Sequence, residues 1–414
     1  MSSSTEINRA PGVVIDLRRA ALFFACVMIA GAALLDFVPR PSSPASLIFV
    51  AALGALLSIR FVHVALTQRM AFRWLDVFAL VIVAVTGVSV LPALTNGVST
   101  VDWARGAVPF VFYGVIVLLN GLDDEYSLVW LTRAMLIGCA LWVVKIIAQT
   151  ASAIPAVLSG DLSRLTLVTL DLTVPLAMIG FTLVLFLRQL RPLLRIGALG
   201  TFLVLIFLAG YRSQLLLIFG VLLVYFSRLS GLHRLRLVFA GLVAAMALLS
   251  TGGLDPVFDS IGRRFASVGE EVESVRGREL SYALSNFSES PLVGKGLSFP
   301  VPVAITRGDD AWNNYDSDTV RYIHSFPGYV LMDMGLLGVV AFGAFWVTAV
   351  FSGWHARSAS VVGEAAFWSL ITVLAFFLIS AAFRQIQTTV FSMVLVHIIS
   401  SCRRTPNVSP APDA

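Results

Sequence analysis

Residues 321–340 read RYIHSFPGYVLMDMGLLGVV. Arg321 and His324 stand at the mouth, Pro327 and Gly328 follow, and an apolar run continues to residue 351 with Asp333 as its one charged residue. Proline fits the first turn of a helix, so the helix should begin at Ser325 or Phe326. About 17–25 apolar residues suffice for a helix to cross a bilayer, and this run is long enough. The stretch predicts a membrane helix that opens on an arginine and a histidine.

Comparable runs recur outward from it. Hydropathy predicts about twelve spans, near residues 20–38, 45–66, 74–95, 103–120, 128–150, 165–187, 193–210, 213–227, 235–250, 326–351, 363–382 and 385–401. Composition agrees: 58% of the 414 residues are hydrophobic and 13% charged, against about 25% charged in soluble domains. The expected fold class is an all-α integral membrane protein with one long outer loop. Arginines set its orientation, because positive residues in short loops stay cytoplasmic. Arg18 and Arg19 precede the first span; Arg69 and Arg73 separate the second and third. Arg188, Arg191 and Arg195 follow the sixth, Arg228, Arg234 and Arg236 the eighth, Arg357 the tenth, and Arg403 closes the chain. All fall on one side, so both termini are expected in the cytoplasm. The first run lacks a small-x-small cleavage site and reads as an uncleaved helix. The net charge of +5 reflects this arginine bias and calls for no nucleic-acid partner. Cys26, Cys139 and Cys402 offer neither a disulfide framework nor a metal cluster.

One connection is not short. About 70 residues, 251–324, run without a span on the outer side, and loops of that length are usually functional. Within it, Leu280, Leu284 and Phe287 recur at helical spacing before Pro291, Gly294 and Gly296 end the pattern. This predicts a short amphipathic helix at the membrane surface, with Arg278 and Tyr282, four apart, on one face. The Gly-x-Gly predicts a turn. Arg212 interrupts an apolar stretch at the outer boundary between the seventh and eighth spans, where it should face a polar cavity or an anion, or else snorkel. His324 precedes a helix N-terminus, a position that attracts anions. Asp333 requires a partner such as Arg212 or Arg384.

These features occur in a recognisable order: an outer-turn arginine, a long outer loop carrying GRELSYALSNFSESPLVGKGL, and a histidine opening HSFPGYVLMDMGLLGVVAF. The arrangement resembles the O-antigen ligase and O-antigen polymerase superfamily of bacterial envelope membrane proteins. Arg278 and Tyr282 match the loop arginine and aromatic, and Pro291, Leu292, Gly294 and Gly296 match the turn. His324 matches the histidine, residues 335–338 the GLLG, and Arg212 the outer-turn arginine. Ser325 stands where many members carry asparagine, which favours polymerase over ligase; Tyr282 stands where tryptophan is frequent.

The resemblance implies a lipid-linked-sugar glycosyltransferase (GT-C-like) helical bundle in the bacterial inner membrane. It implies transfer, on the periplasmic side, of a glycan from an undecaprenyl-diphosphate carrier to an acceptor sugar hydroxyl. That reaction would serve surface polysaccharide polymerisation or ligation to lipid A core. Inversion at the anomeric carbon is implied, without metal or cofactor, with membrane lipid and other polysaccharide export components as further partners. The expected catalytic residues are His324, Arg212 and Arg278, and the expected substrate contacts are Arg276, Arg321 and Tyr282. The expected division is a cytoplasmic tail (1–19), nine spans (20–250), a periplasmic loop (251–324), three spans (325–401) and a cytoplasmic tail (402–414). Two other classes fit the topology: a secondary transporter, although no internal repeat supports one, and a non-catalytic component of envelope polysaccharide assembly.

Overall fold

The computed structural model describes residues 17–34, 73–150, 174–187, 190–209, 212–232, 234–235, 277–306, 319–378 and 380–403. Four helical stretches are long and apolar enough to cross a membrane: Trp74–Thr95, Thr100–Leu118, Glu125–Ala148 and Phe326–Ala359. Six shorter apolar helices, Arg19–Leu34, Pro175–Phe186, Pro192–Ile206, Gln214–Ser227, Val361–Phe377 and Ile386–Cys402, coincide with further expected spans. The spans expected near 45–66 and 235–250, and the first part of that at 165–187, lie outside the described residues.

In chain order the helices are α1 (Leu17–Leu34), α2 (Trp74–Val88), α3 (Val90–Thr95), α4 (Thr100–Val111), α5 (Val115–Leu118) and α6 (Glu125–Thr150). Then come α7 (Val174–Phe186), α8 (Pro192–Ala209), α9 (Arg212–Ser227), α10 (Gly277–Glu289), α11 (Phe326–Ala359), α12 (Val361–Phe377) and α13 (Ile386–Cys402). A two-residue antiparallel ladder, β1 (Val301–Pro302) with β2 (Thr319–Val320), pairs Val301 with Val320. The centre is α11, which packs on α2, α10, α12 and α13, while α1 packs on α6 and α7 on α12 and α8. Its core is aromatic. Phe326 lies 4.9 Å from Phe383 and 5.2 Å from Phe342, and Tyr113 lies within 5.2–5.7 Å of Phe342, Phe345 and Trp346 (ring centroids).

Helix α11 starts where the proline places it. Ser325 is the N-cap, its Oγ accepting from the Gly328 N–H at 3.4 Å. The helix is broken at Gly335, whose φ of 61° and ψ of −155° suit glycine alone. In an unbroken helix the carbonyls of Met332 and Asp333 would accept from Leu336 and Leu337. Instead, the turn formed by residues 291–296 inserts there. Lys295 N–H bonds the Met332 carbonyl and Gly296 N–H that of Asp333, each at 2.9 Å; Leu336 N–H bonds the Pro291 carbonyl at 2.9 Å and Leu337 N–H that of Leu292 at 3.1 Å. Each unsatisfied backbone group in hydrocarbon costs several kcal/mol, so the exchange makes the break tolerable. The turn sits so close that a Cβ on Gly335 would stand 2.6 Å from the Gly294 nitrogen.

The bundle's ends are sorted. At one end Arg73 pairs with Asp123 and donates to Ser400 Oγ at 2.9 Å, while His397 Nε2 lies 3.7 Å from Asp123. Burial would raise the Asp123 carboxyl, but the Arg73 hydrogen bond and the nearby charges hold it below its ordinary value. A recess of about 420 Å³ opens here, lined by Arg73, Trp74, Thr348, Ser352, Ser400 and Arg403. The other end gathers α10, the inserted turn and the mouth of α11.

Candidate active site

Helix α10 turns Glu279, Ala283 and Asn286 inward and leaves Leu280 and Leu284 exposed. The amphipathic helix is as expected. Its Leu280 and Leu284 are exposed, as are Leu292, Leu336 and Leu337 of the inserted turn and α11. The inward face carries the chemistry. Glu279 is 1% exposed, and its Oε1 lies 2.6 Å from His324 Nδ1. The backbone N–H of His324 also reaches both oxygens of that carboxylate at 3.3 Å. The anion-friendly place before the α11 N-terminus is thus taken by the protein's own carboxylate. The imidazole remains 30% exposed.

Arg278 precedes Glu279 and is half-buried; its Nε is buried and bonds to no described residue. Tyr282, one turn on, donates from its hydroxyl to the Pro300 carbonyl at 3.3 Å. Burial pushes this phenol above its ordinary value, so it stays a neutral donor. Arg321 donates to the Ser298 carbonyl at 3.2 Å and lies 3.4 Å from Asp102, at the start of α4. At 37% and 28% side-chain exposure, that pair contributes under about 1 kcal/mol, so it orients the loop more than it stabilises it. Arg212 is the first residue of α9; its side chain and all of Arg276 lie outside the described residues.

Behind His324 lies a second layer. The Tyr322 ring meets the imidazole edge-on at 5.5 Å, and the buried Arg384 guanidinium lies 5.0 Å over Tyr322 and 5.9 Å over Tyr329. Asp333 is fully buried beside Tyr329, accepts from the Ser298 N–H at 3.1 Å, and has Arg384 as its nearby cation. Of the two partners expected for Asp333, Arg384 lies near it, and the Arg212 side chain lies outside the described residues. The structure joins His324 to Glu279 on α10, the helix that also carries Arg278 and Tyr282; Arg321 lies against Asp102. Sequence reasoning missed Glu279, Tyr322 and Asp102 as site neighbours. The only local signal for Glu279 was an acidic residue in a first helical turn, which ordinarily just complements the dipole.

The cluster offers a partly exposed imidazole held from behind by a buried carboxylate, and on the same helix a guanidinium whose buried Nε bonds to no described residue. That combination suits proton abstraction beside a developing anion. Residues 197–343 match the family model described as O-antigen ligase. The matched segment covers α8 through the first half of α11, and therefore the inserted turn, α10 and His324. No curated protein matches the chain.

Proposed function

We propose that this chain is a periplasmic-face glycosyltransferase of surface polysaccharide assembly, of the O-antigen ligase and polymerase family, a reading that the match over residues 197–343 supports. The donor is a glycan on undecaprenyl diphosphate and the acceptor a sugar hydroxyl, on another lipid-linked repeat unit in a polymerase or on lipid A core in a ligase. The observation that carries the reading is the docking of α10 on the mouth of α11 through Glu279 and His324, with Arg278 the residue before Glu279 on that helix.

In this reading the acceptor oxygen attacks the anomeric carbon as its proton passes to His324. The bond from that carbon to the diphosphate oxygen breaks, its electron pair leaves with the diphosphate, and the configuration inverts. Arg278 and Arg212 meet the leaving negative charge; guanidinium suits this role because it stays charged and binds phosphate bidentately. Each such donor typically lowers the barrier by about 3–4 kcal/mol. Arg276 and Arg321 are the further basic residues proposed to contact the substrate, and Tyr282 offers an aromatic face to a sugar. His324→Ala and Arg212→Ala, each expressed in a strain lacking the native gene, should abolish the polymeric surface glycan on a gel. Normal glycan from both variants at normal expression overturns the assignment.

A further inference from the structure

We propose that Glu279 is a positioning residue that makes Nε2 of His324 the proton acceptor, an inference that rests on the glycan-transfer reading above. A neutral imidazole carries one N–H, and a carboxylate only accepts. With Glu279 Oε1 2.6 Å from Nδ1, the ring proton sits on Nδ1 and the lone pair on Nε2. The same carboxylate accepts the His324 backbone N–H, so residue and ring are pinned to one group. The asymmetry of burial points the same way: the carboxylate is 1% exposed and the imidazole 30% exposed. The held nitrogen faces inward, and Nε2 bonds to no described residue.

The consequence for the reaction is specific. As the acceptor hydroxyl forms its bond to the anomeric carbon, its proton moves to Nε2 and the imidazole becomes imidazolium. Both ring nitrogens then carry protons, and the positive charge lies against the Glu279 carboxylate. Glu279 touches neither donor nor acceptor and acts through His324. A glutamine there can either accept from Nδ1–H or donate to a bare Nδ1, so the tautomer is no longer fixed and the new charge has no counter-ion.

The test uses membranes from a deletion strain carrying each variant, with lipid-linked glycan extracted from that strain as the donor. Glu279→Gln should lower kcat about 10²–10⁴-fold, the range of general-base assistance, with the donor KM within about threefold of wild type. Glu279→Asp keeps the charge at shorter reach and should fall between Gln and wild type. In a His324→Ala background, Glu279→Gln should cause no further loss, because a residue that acts only through His324 has nothing left to act on. A Glu279→Gln enzyme with normal kcat beside an inactive His324→Ala enzyme overturns the role of Glu279 and leaves the transfer reading intact. A normal His324→Ala enzyme overturns both. A further loss in the His324→Ala background, or a rise in KM alone, shows that Glu279 merely docks the loop and overturns the proposal. Where Glu279→Gln does not fold, Glu279→Asp decides: wild-type kcat overturns the proposal, and a fall of about tenfold at unchanged KM supports it.

Discussion

Arg278 contributes none of the described hydrogen bonds to the fold, and its buried Nε has no partner among the described residues. A buried donor left unsatisfied costs about 1–3 kcal/mol, so the residue is a structural liability that a bound anion would relieve. Arg278→Gln should therefore leave the melting temperature unchanged or raised, while glycan transfer falls about 10²-fold or more. Parallel measurement of thermal unfolding in detergent and of transfer in membranes checks this. Loss of stability in step with activity would instead mark Arg278 as part of the scaffold. At this scale, His324, Arg278 and Tyr282 stood out as candidates because each lies in a patterned stretch that matches the resemblance. Glu279 and Asp102 did not, since their partners, His324 and Arg321, lie 45 and 219 residues away. No local spacing encodes such a pair.

The element that defines the site is a helix interrupted by a turn from elsewhere in the chain. Hydropathy reads residues 326–351 as one span, and one long apolar helix, Phe326–Ala359, covers them, because side chains on both sides of the break are apolar. The break itself lies in the backbone, where hydropathy has no signal; the trace it leaves in sequence is Gly335 and the pair Gly294 and Gly296. An alanine at position 335 would need a backbone conformation open only to glycine and would press its Cβ to within 2.7 Å of the Leu292 carbonyl, a cost of about 3 kcal/mol or more. Gly343, further along the same helix, has nothing within 4 Å of a built Cβ, and an alanine there should be neutral or stabilising by about 1 kcal/mol. The expected result is a melting temperature several degrees lower, with lost transfer, for Gly335→Ala and neither effect for Gly343→Ala. Equal behaviour of the two variants would show that the turn does not dock as described. Because the turn also delivers Ser298 to Asp333, the break should transmit its disruption to the layer behind His324.

Across the whole molecule, α11 joins two chemically different ends. Beyond the break at Gly335, residues 336–359 extend about 36 Å at the usual rise per residue, enough to cross the roughly 30 Å of hydrocarbon. One end holds Arg73, Arg228 and Arg403, with Arg73 bound to Asp123 and Arg228 to Glu364; the other holds the His324 cluster. The arginine bias in the sequence already implied this sorting, since it reads each connection alone. If positive residues stay cytoplasmic, the His324 end faces outward and the Arg403 end inward. Single cysteines at Ser288→Cys, exposed on α10, and Arg403→Cys, exposed beyond α13, test this in a chain carrying Cys26→Ala, Cys139→Ala and Cys402→Ala. A membrane-impermeant maleimide should label Ser288→Cys in intact spheroplasts and Arg403→Cys only after permeabilisation. The reverse pattern would put His324 on the cytoplasmic face, where a carrier-linked glycan presented at the outer surface could not reach it, and the proposed reaction would fall with the orientation.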